Sequence, residues 1–89
     1  MRTYELRIAP SAQRPLARLP KAPAAAVVEL ITGALLDNPR RVGKPLGLEL
    51  SGYWGVRRGA YRVVYRIVET EHYVRVIRID HRADIYRMR

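Results

Sequence analysis

The chain has 89 residues, no cysteine, and 17 Lys+Arg against 8 Asp+Glu, a formal charge of +9. That length is one small domain, read as residues 1–89, with a thin core. The lack of cysteine excludes disulfide scaffolds and thiolate metal sites, and the longest apolar stretch, "APAAAVVELI", is too short to span a bilayer. "MRTYELRIAP" has no apolar leader run, so the expectation is a soluble cytoplasmic protein with no membrane role. Lys21 and Lys44 are the only lysines, and every other basic residue is arginine. A GC-rich genome accounts for some of that skew but not for the net charge. The excess charge on so small a body repels itself and points to an anionic partner, nucleic acid or acidic protein. Arginine's planar fork suits phosphate in particular.

In chain order, Tyr4, Leu6 and Ile8 alternate with Glu5 and Arg7, the pattern of a half-buried strand. Ser11 is placed to cap a first helix with Pro15 in its first turn. Pro20 and Pro23 interrupt the chain, and a second helix is expected from about Ala24 to Leu36. Its apolar stripe, Val27, Leu30, Ile31, Ala34 and Leu35, follows the helical repeat. Gly33 weakens it by about 1 kcal/mol, and the residue before Pro39 ends it. "RRVGKPLGLELSG" reads as a loop. "YWGVRRGAYRVVYRIV" and "HYVRVIRI" carry the β-branched and aromatic residues of strands, and a short further element is expected at Ile85–Arg87. The order is β-α-α-β-β-β. The expected class is α+β, an antiparallel twisted sheet with two N-terminal helices on one face.

A two-residue turn at Arg58-Gly59 or Gly59-Ala60 joins two strands and sorts their residues. Trp54, Val56, Tyr61, Val63, Tyr65 and Ile67 form a core face, with Arg58 at its rim. Tyr53, Gly55, Arg57, Arg62, Val64 and Arg66 form a basic face. Arg57 and Arg62 become cross-strand neighbours. Like charges there are destabilising, unless an anion sits between them or the face is simply solvated. Gly55 reads as a bulge or as a place where another backbone approaches closely.

The closing stretch "IDHRADIYRMR" places His81, Arg82 and Tyr86 just past a strand. Singly, His81 reads as a surface histidine and Tyr86 as packing. Asp80 could orient His81 or raise its pKa. Together with Arg62 they offer parts for RNA cleavage: arginines for phosphorane charge, a histidine for proton transfer, a tyrosine ring for stacking on a base.

The run "KPLGLELSGYWGVRRGAYRVVYRI", followed by "VRVIRIDHRADIYR", resembles the RelE/ParE toxin superfamily, and within it the RelE-type messenger-RNA endonucleases. The likeness covers roughly Lys44 to Arg87 and implies a RelE-like fold. It implies a type II toxin that enters the A site of the 70S ribosome and cuts messenger RNA without metal or cofactor. The 2′-hydroxyl would attack the adjacent phosphate, leaving a cyclic phosphate and a 5′-hydroxyl. An acidic RelB-like antitoxin would wrap the toxin, which would reach operator DNA only through it. By the resemblance, Arg62 contacts the scissile phosphate, Arg82 is a phosphate contact and candidate acid, Tyr86 stacks on the target base, and Arg57 is one of the basic positions on the preceding strand. His81 is the neutral-capable base of the set, since arginine stays protonated. Lys44, Arg58, Arg66, Arg78 and Arg87 are expected to bind RNA. Gly55 falls where a further cation is expected, which suggests weak cutting. The competing reading within the superfamily is a ParE-like poison of DNA gyrase with no active site, and a third is a plain basic RNA-binding protein.

Overall fold

The computed structural model describes residues 3–82. The chain runs as strand β1 (Glu5–Ile8), helices α1 (Pro10–Arg18) and α2 (Lys21–Thr32), single turns α3 (Ala34–Asp37) and α4 (Pro39–Val42), and strand β2 (Lys44–Pro45). A 3-10 turn (Leu48–Leu50) leads to strands β3 (Trp54–Arg58), β4 (Tyr61–Val68) and β5 (Tyr73–His81). The strands form one sheet in the order β1-β5-β4-β3-β2. Among the described residues no helix is long and apolar enough to cross a membrane. The proposed element at Ile85–Arg87, with Tyr86 and Arg87, lies outside the described residues.

The α+β class holds, but the sheet is mixed rather than antiparallel. β1 pairs parallel with β5, while β2–β3, β3–β4 and β4–β5 are antiparallel. The long helical connection out of β1 makes this possible, because a parallel pair needs a crossover rather than a tight turn. The supposed loop is also more structured than its composition suggests: it holds α4, β2 and the 3-10 turn.

The helical region differs from its expected boundaries. α1 opens at Pro10, which suits a first-turn position, with Ala9 before it, so Ser11 is not the cap and Pro15 lies inside the helix. α2 starts at Lys21, with Pro23 in its first turn, and stops at Thr32. Gly33, at φ −120° and ψ −100°, breaks the helix that the apolar stripe suggested, and a single turn restarts at Ala34. The break shifts the helical phase. Leu35 still reaches the core, but Ala34 is exposed.

The core lies between the helices and one face of the sheet. Val27, Leu30, Ile31 and Leu35 meet Val63, Tyr65, Val74, Val76 and Ile79, with Trp54, Val56, Tyr61 and Ile67 packed around them. Leu6 and Ile8 join from β1. The hairpin follows the expected parity: Trp54 faces Tyr65, Val56 faces Val63 and Arg57 faces Arg62 across the pair. Of its two-residue turn, Gly59 has φ +61° and Ala60 is not in the left-handed region, the arrangement of a turn that needs glycine only at its first central position.

β5 contains a bulge. Its register steps from Val64↔Arg78 to Tyr65↔Val76, leaving Ile77 without a partner across the pair. The Ser11 hydroxyl donates to the Ile77 carbonyl at 2.6 Å, so α1 supplies the bond to the residue the ladder leaves out.

Tyr65 is fully buried, and its hydroxyl donates to the Pro39 carbonyl at 2.5 Å. Burial pushes its phenol up to about 12. Gly43 lies against it. A Cβ there would collide with the Tyr65 hydroxyl and come within 2.9 Å of the Gly55 carbonyl oxygen. At the other end of the sheet, the Tyr4 hydroxyl and Arg40 both bond the Glu69 carboxylate. The bond from Tyr4, then that from Arg40, holds Glu69 below the usual carboxylate range. This ties β1 and α4 to the β4–β5 turn.

Two stability outcomes follow. Gly43→Ala destabilises the protein by about 2–3 kcal/mol in urea unfolding, because the methyl group displaces the Tyr65 hydroxyl from its bond. The same change in a Tyr65→Phe background costs clearly less. Equal costs in both backgrounds would place the strain elsewhere. Ser11→Ala removes only the bond to the bulge and lowers stability by about 0.5–1.5 kcal/mol, measured by the same unfolding.

Candidate functional site

The sheet face opposite the helices carries the charge. On β3 and β4, Arg57, Arg62 and Arg66 point there by strand parity, away from the core set. On β5 the bulge decides the matter. Before Ile77 the core takes Val74 and Val76, and after it the core takes Ile79. The open face therefore receives Arg75 on one side of the bulge and Arg78 and Asp80 on the other. Arg75 pairs with Arg66, Arg78 with Val64 and Asp80 with Arg62. On β1, Leu6 and Ile8 turn to the core, which leaves Arg7, the register partner of Arg75, on the open face. The Arg7 guanidinium lies 3.9 Å over the Tyr73 ring and bonds Glu5 at 2.9 Å.

Arg57, Arg62 and Arg82 line one small notch at the hairpin tip, with Gly59, Ala60 and Tyr61. The Arg82 amide donates to the Ala60 carbonyl at 2.6 Å, and this bond fixes the end of β5 beside the turn. Three arginines, on β3, on β4 and just past the end of β5, thus border one place. Next to it a groove of about 520 Å³ runs along the sheet, lined by Lys44, Leu46, Gly55, Arg57 and Arg62 among others. Arg62 borders both.

Gly55 is explained by this groove. A Cβ there would come within 3.1 Å of the Leu46 side chain, so the glycine makes room for Leu46. Lys44 lies directly across from Gly55 in the register. A cation therefore stands beside the position where one was expected on β3, supplied by the neighbouring strand.

Asp80 does not serve His81. Its carboxylate bonds Arg62 at 3.3 Å and Arg78 at 2.9 Å. His81 pairs with Tyr61 and meets its ring edge-on, with 5.1 Å between centroids, on the helix-bearing side of the sheet. The structure thus brings Arg57, Arg62 and Arg82 together and sets His81 on the opposite face from Arg62. Arg58 also faces the helix side, beside Tyr61, Ala22 and Ala26. Arg66 and Arg78 share the open face with the notch. Tyr86 and Arg87 lie outside the described residues. Three residues of the open face were not placed there from the sequence: Arg7, Arg75, and Asp80, which the sequence set beside His81. The first two become visible once β1 is laid in register on β5, and the third once a bulge is allowed between Val76 and Arg78.

The chemistry of this face is that of an anion cradle. Arg57 and Arg62 are like charges directly opposite each other, an arrangement that disfavours the empty sheet and favours a phosphate between them. Among the described residues no group of three or more His, Asp or Glu is placed to share a metal ion.

Residues 6–86 match the family model described as the ParE toxin of type II toxin–antitoxin systems, parDE. Toxin RelG of Mycobacterium tuberculosis is 50% identical over 84 residues, covering 94% of this chain and 97% of that protein. Toxin RelE of the same organism is 49% identical over 85 residues, covering 96% of this chain and 88% of that one. Among solved structures, the toxin–antitoxin complex RelBE2 of Mycobacterium tuberculosis contains a chain 46% identical, with a TM-score of 0.86, covering 91% of this chain and all of that one. Taken with the arginine-lined open face, these likenesses place the chain in the ParE toxin family of type II toxin–antitoxin systems, as a RelE-type member of the RelE/ParE superfamily.

Proposed function

We propose that this toxin is a ribosome-dependent endoribonuclease that cleaves messenger RNA in the A site and so stops translation in the cytoplasm. The observation that supports this reading most is the convergence of Arg57, Arg62 and Arg82 on one notch beside a cationic groove. In the proposed step the 2′-oxygen bonds to phosphorus and loses its proton. The bond from phosphorus to the 5′-oxygen breaks, and that oxygen takes up a proton. The products are a 2′,3′-cyclic phosphate and a 5′-hydroxyl. The phosphorane carries one more negative charge than the starting diester. Guanidinium groups of these three arginines would stabilise that extra charge more than they stabilise the substrate, which is the condition for lowering a barrier. The mechanism leans on charge rather than on imidazole, because His81 stands across the sheet from the notch. Tyr86 is assigned to stacking on the target base.

The antitoxin is proposed to be RelB-like and acidic. A charge of +9 favours an acidic chain laid over the open face, and the related RelBE2 structure is itself a toxin–antitoxin complex. The competing reading is a ParE-like toxin that would poison DNA gyrase by binding it; the matching family model is described as the ParE toxin of parDE systems. A gyrase poison has no need of three arginines in one notch, and on that ground RNA cleavage is preferred. Primer extension on a translated messenger, with and without ribosomes, separates the two. Ribosome-dependent cuts support the nuclease, and growth arrest with intact messenger and inhibited gyrase supports the poison.

Two outcomes are expected. Arg82→Ala and Arg62→Ala each lower single-turnover cleavage on stalled ribosomes by about 10²–10³, as loss of one transition-state donor does, with circular dichroism showing the fold retained. A folded Arg82→Ala that cuts and arrests growth like the parent removes the notch from the mechanism. Affinity for a non-cleavable single-stranded RNA falls with salt, with a log–log slope of about −0.7 per phosphate contact, and Arg57→Ala makes that slope shallower by about 0.7. A salt-independent affinity counts against the whole open face as a phosphate surface.

A further inference from the structure

Asp80 is a carboxylate on a face otherwise suited to phosphate. It lies directly across from Arg62 in the β4–β5 register, and the two side chains are 15% and 18% exposed. One carboxylate oxygen accepts from Arg62 Nη2 at 3.3 Å and from Arg78 Nη2 at 2.9 Å, and the other accepts from Arg78 Nε at 3.3 Å. Arg62 Nε is buried and, among the described residues, has no hydrogen-bond partner. Among the described residues, the polar contact that holds the Arg62 guanidinium therefore comes from Asp80. Arg62 borders both the groove and the notch.

We propose that Asp80 is a positioning residue for Arg62, clamping its guanidinium between β4 and β5 so that its remaining N–H groups meet an RNA phosphate in the notch. The inference rests on the RNA-cleavage reading above. Its physical content is an opposition between binding and order. A carboxylate here repels every phosphate that approaches, so a surface built for affinity alone would omit it. Arg62 also faces Arg57 directly, and two unclamped guanidinium groups would move apart. Asp80 removes that freedom and hands Arg78 the same anchor. Catalysis by fixed charge depends on such fixing, because a misplaced donor loses most of its worth in the transition state.

The test separates affinity from rate. Asp80→Asn keeps a carbonyl acceptor and nearly the same volume but loses the charge. Binding of a non-cleavable RNA, with a 2′-deoxy nucleotide at the cut site, is expected to tighten about two- to fivefold as one repulsive charge disappears. Cleavage on stalled ribosomes at saturating toxin is expected to slow about 10- to 100-fold. Asp80→Glu, with the charge kept and the reach altered, should bind as the parent does and cut slowly. The NMR signal of Arg62 Nε–H, assigned with Arg62→Lys, should be sharp in the parent and broadened in Asp80→Asn, with or without RNA. Thermal unfolding monitors the fold throughout. A folded Asp80→Asn that binds and cuts like the parent overturns the proposal. So does a parallel loss of binding and rate with an unchanged Arg62 signal, which marks a merely structural ion pair. A parent that never cuts RNA, with the binding and NMR pattern intact, overturns the nuclease reading and leaves the clamp standing.

Discussion

One unpaired residue, Ile77, sets the chemistry of this sheet. A strand that alternated without interruption would send Val74, Val76, Arg78 and Asp80 to one face and Arg75, Ile77 and Ile79 to the other. Two charged groups would then lie in the core, and two isoleucines would lie among the arginines. Burying those charges without partners costs several kcal/mol each. The bulge avoids this by inserting one residue, so that the core keeps Val76 and Ile79 while Arg78 and Asp80 turn outward. The insertion leaves the Ile77 carbonyl out of the ladder, and Ser11 on α1 bonds it. The first helix thus supports the site from the far side of the sheet, and the parallel pairing of β1 with β5 brings it there.

The charge pattern that results is unfavourable within the free protein. Arg57 faces Arg62, Arg66 faces Arg75, and Arg75 is also the register partner of Arg7. Each like pair weakens a cross-strand contact by a fraction of a kcal/mol. The relief is uneven. At the β1 edge Glu5 bonds Arg7, and near the hairpin Asp80 bonds Arg62 and Arg78. Among the described residues, Arg57, Arg66 and Arg75 have no carboxylate within ion-pair distance. Those unrelieved cations are what an acidic antitoxin or a nucleic acid would neutralise. The core is thin, so stability given up on this face must be recovered within it. The fully buried Tyr65, locked to Pro39 and overlaid by Gly43, is part of that recovery.

The hairpin was legible in the sequence because two independent signals agreed. The residue types separated into an apolar and a basic set only under an even loop, and Gly59 stood where such a loop needs it. The neighbourhood of Arg57 and Arg62 followed without further information. The helix stripe was legible too, and Val27, Leu30, Ile31 and Leu35 are all buried. Its division at Gly33 was not, since a single glycine inside a helix is tolerated as often as it breaks one. The parallel place of β1 was hidden because pairing direction is set by the path of the helices and not by the strand's own residues. β2 is two residues long and carries no periodicity. The bulge was hidden for a sharper reason: "VIRI" reads as a strand under either parity, and the choice is made by the core's exclusion of Arg78 and Asp80 together with the bond from Ser11. That concealment is why Asp80 was set beside His81, its neighbour in sequence, when its partners stand across the pair and two residues back.

The hairpin tip is the natural place for the site once these constraints act together. A two-residue turn brings the ends of β3 and β4 within one residue of each other, so that Arg57 and Arg62 project side by side without a loop to order. The bulge gives β5 the parity that sets Asp80 against Arg62, and the bond from the Arg82 amide to Ala60 anchors the strand's end to the turn. Arg57 and Arg62 belong to strands, and Arg82 follows directly on one, so these arginines sit on rigid supports. Loops would have to be ordered by the substrate, at a cost in binding energy. Rigid strands beside the hairpin turn are the preorganisation this sheet offers to a site that would work through charge.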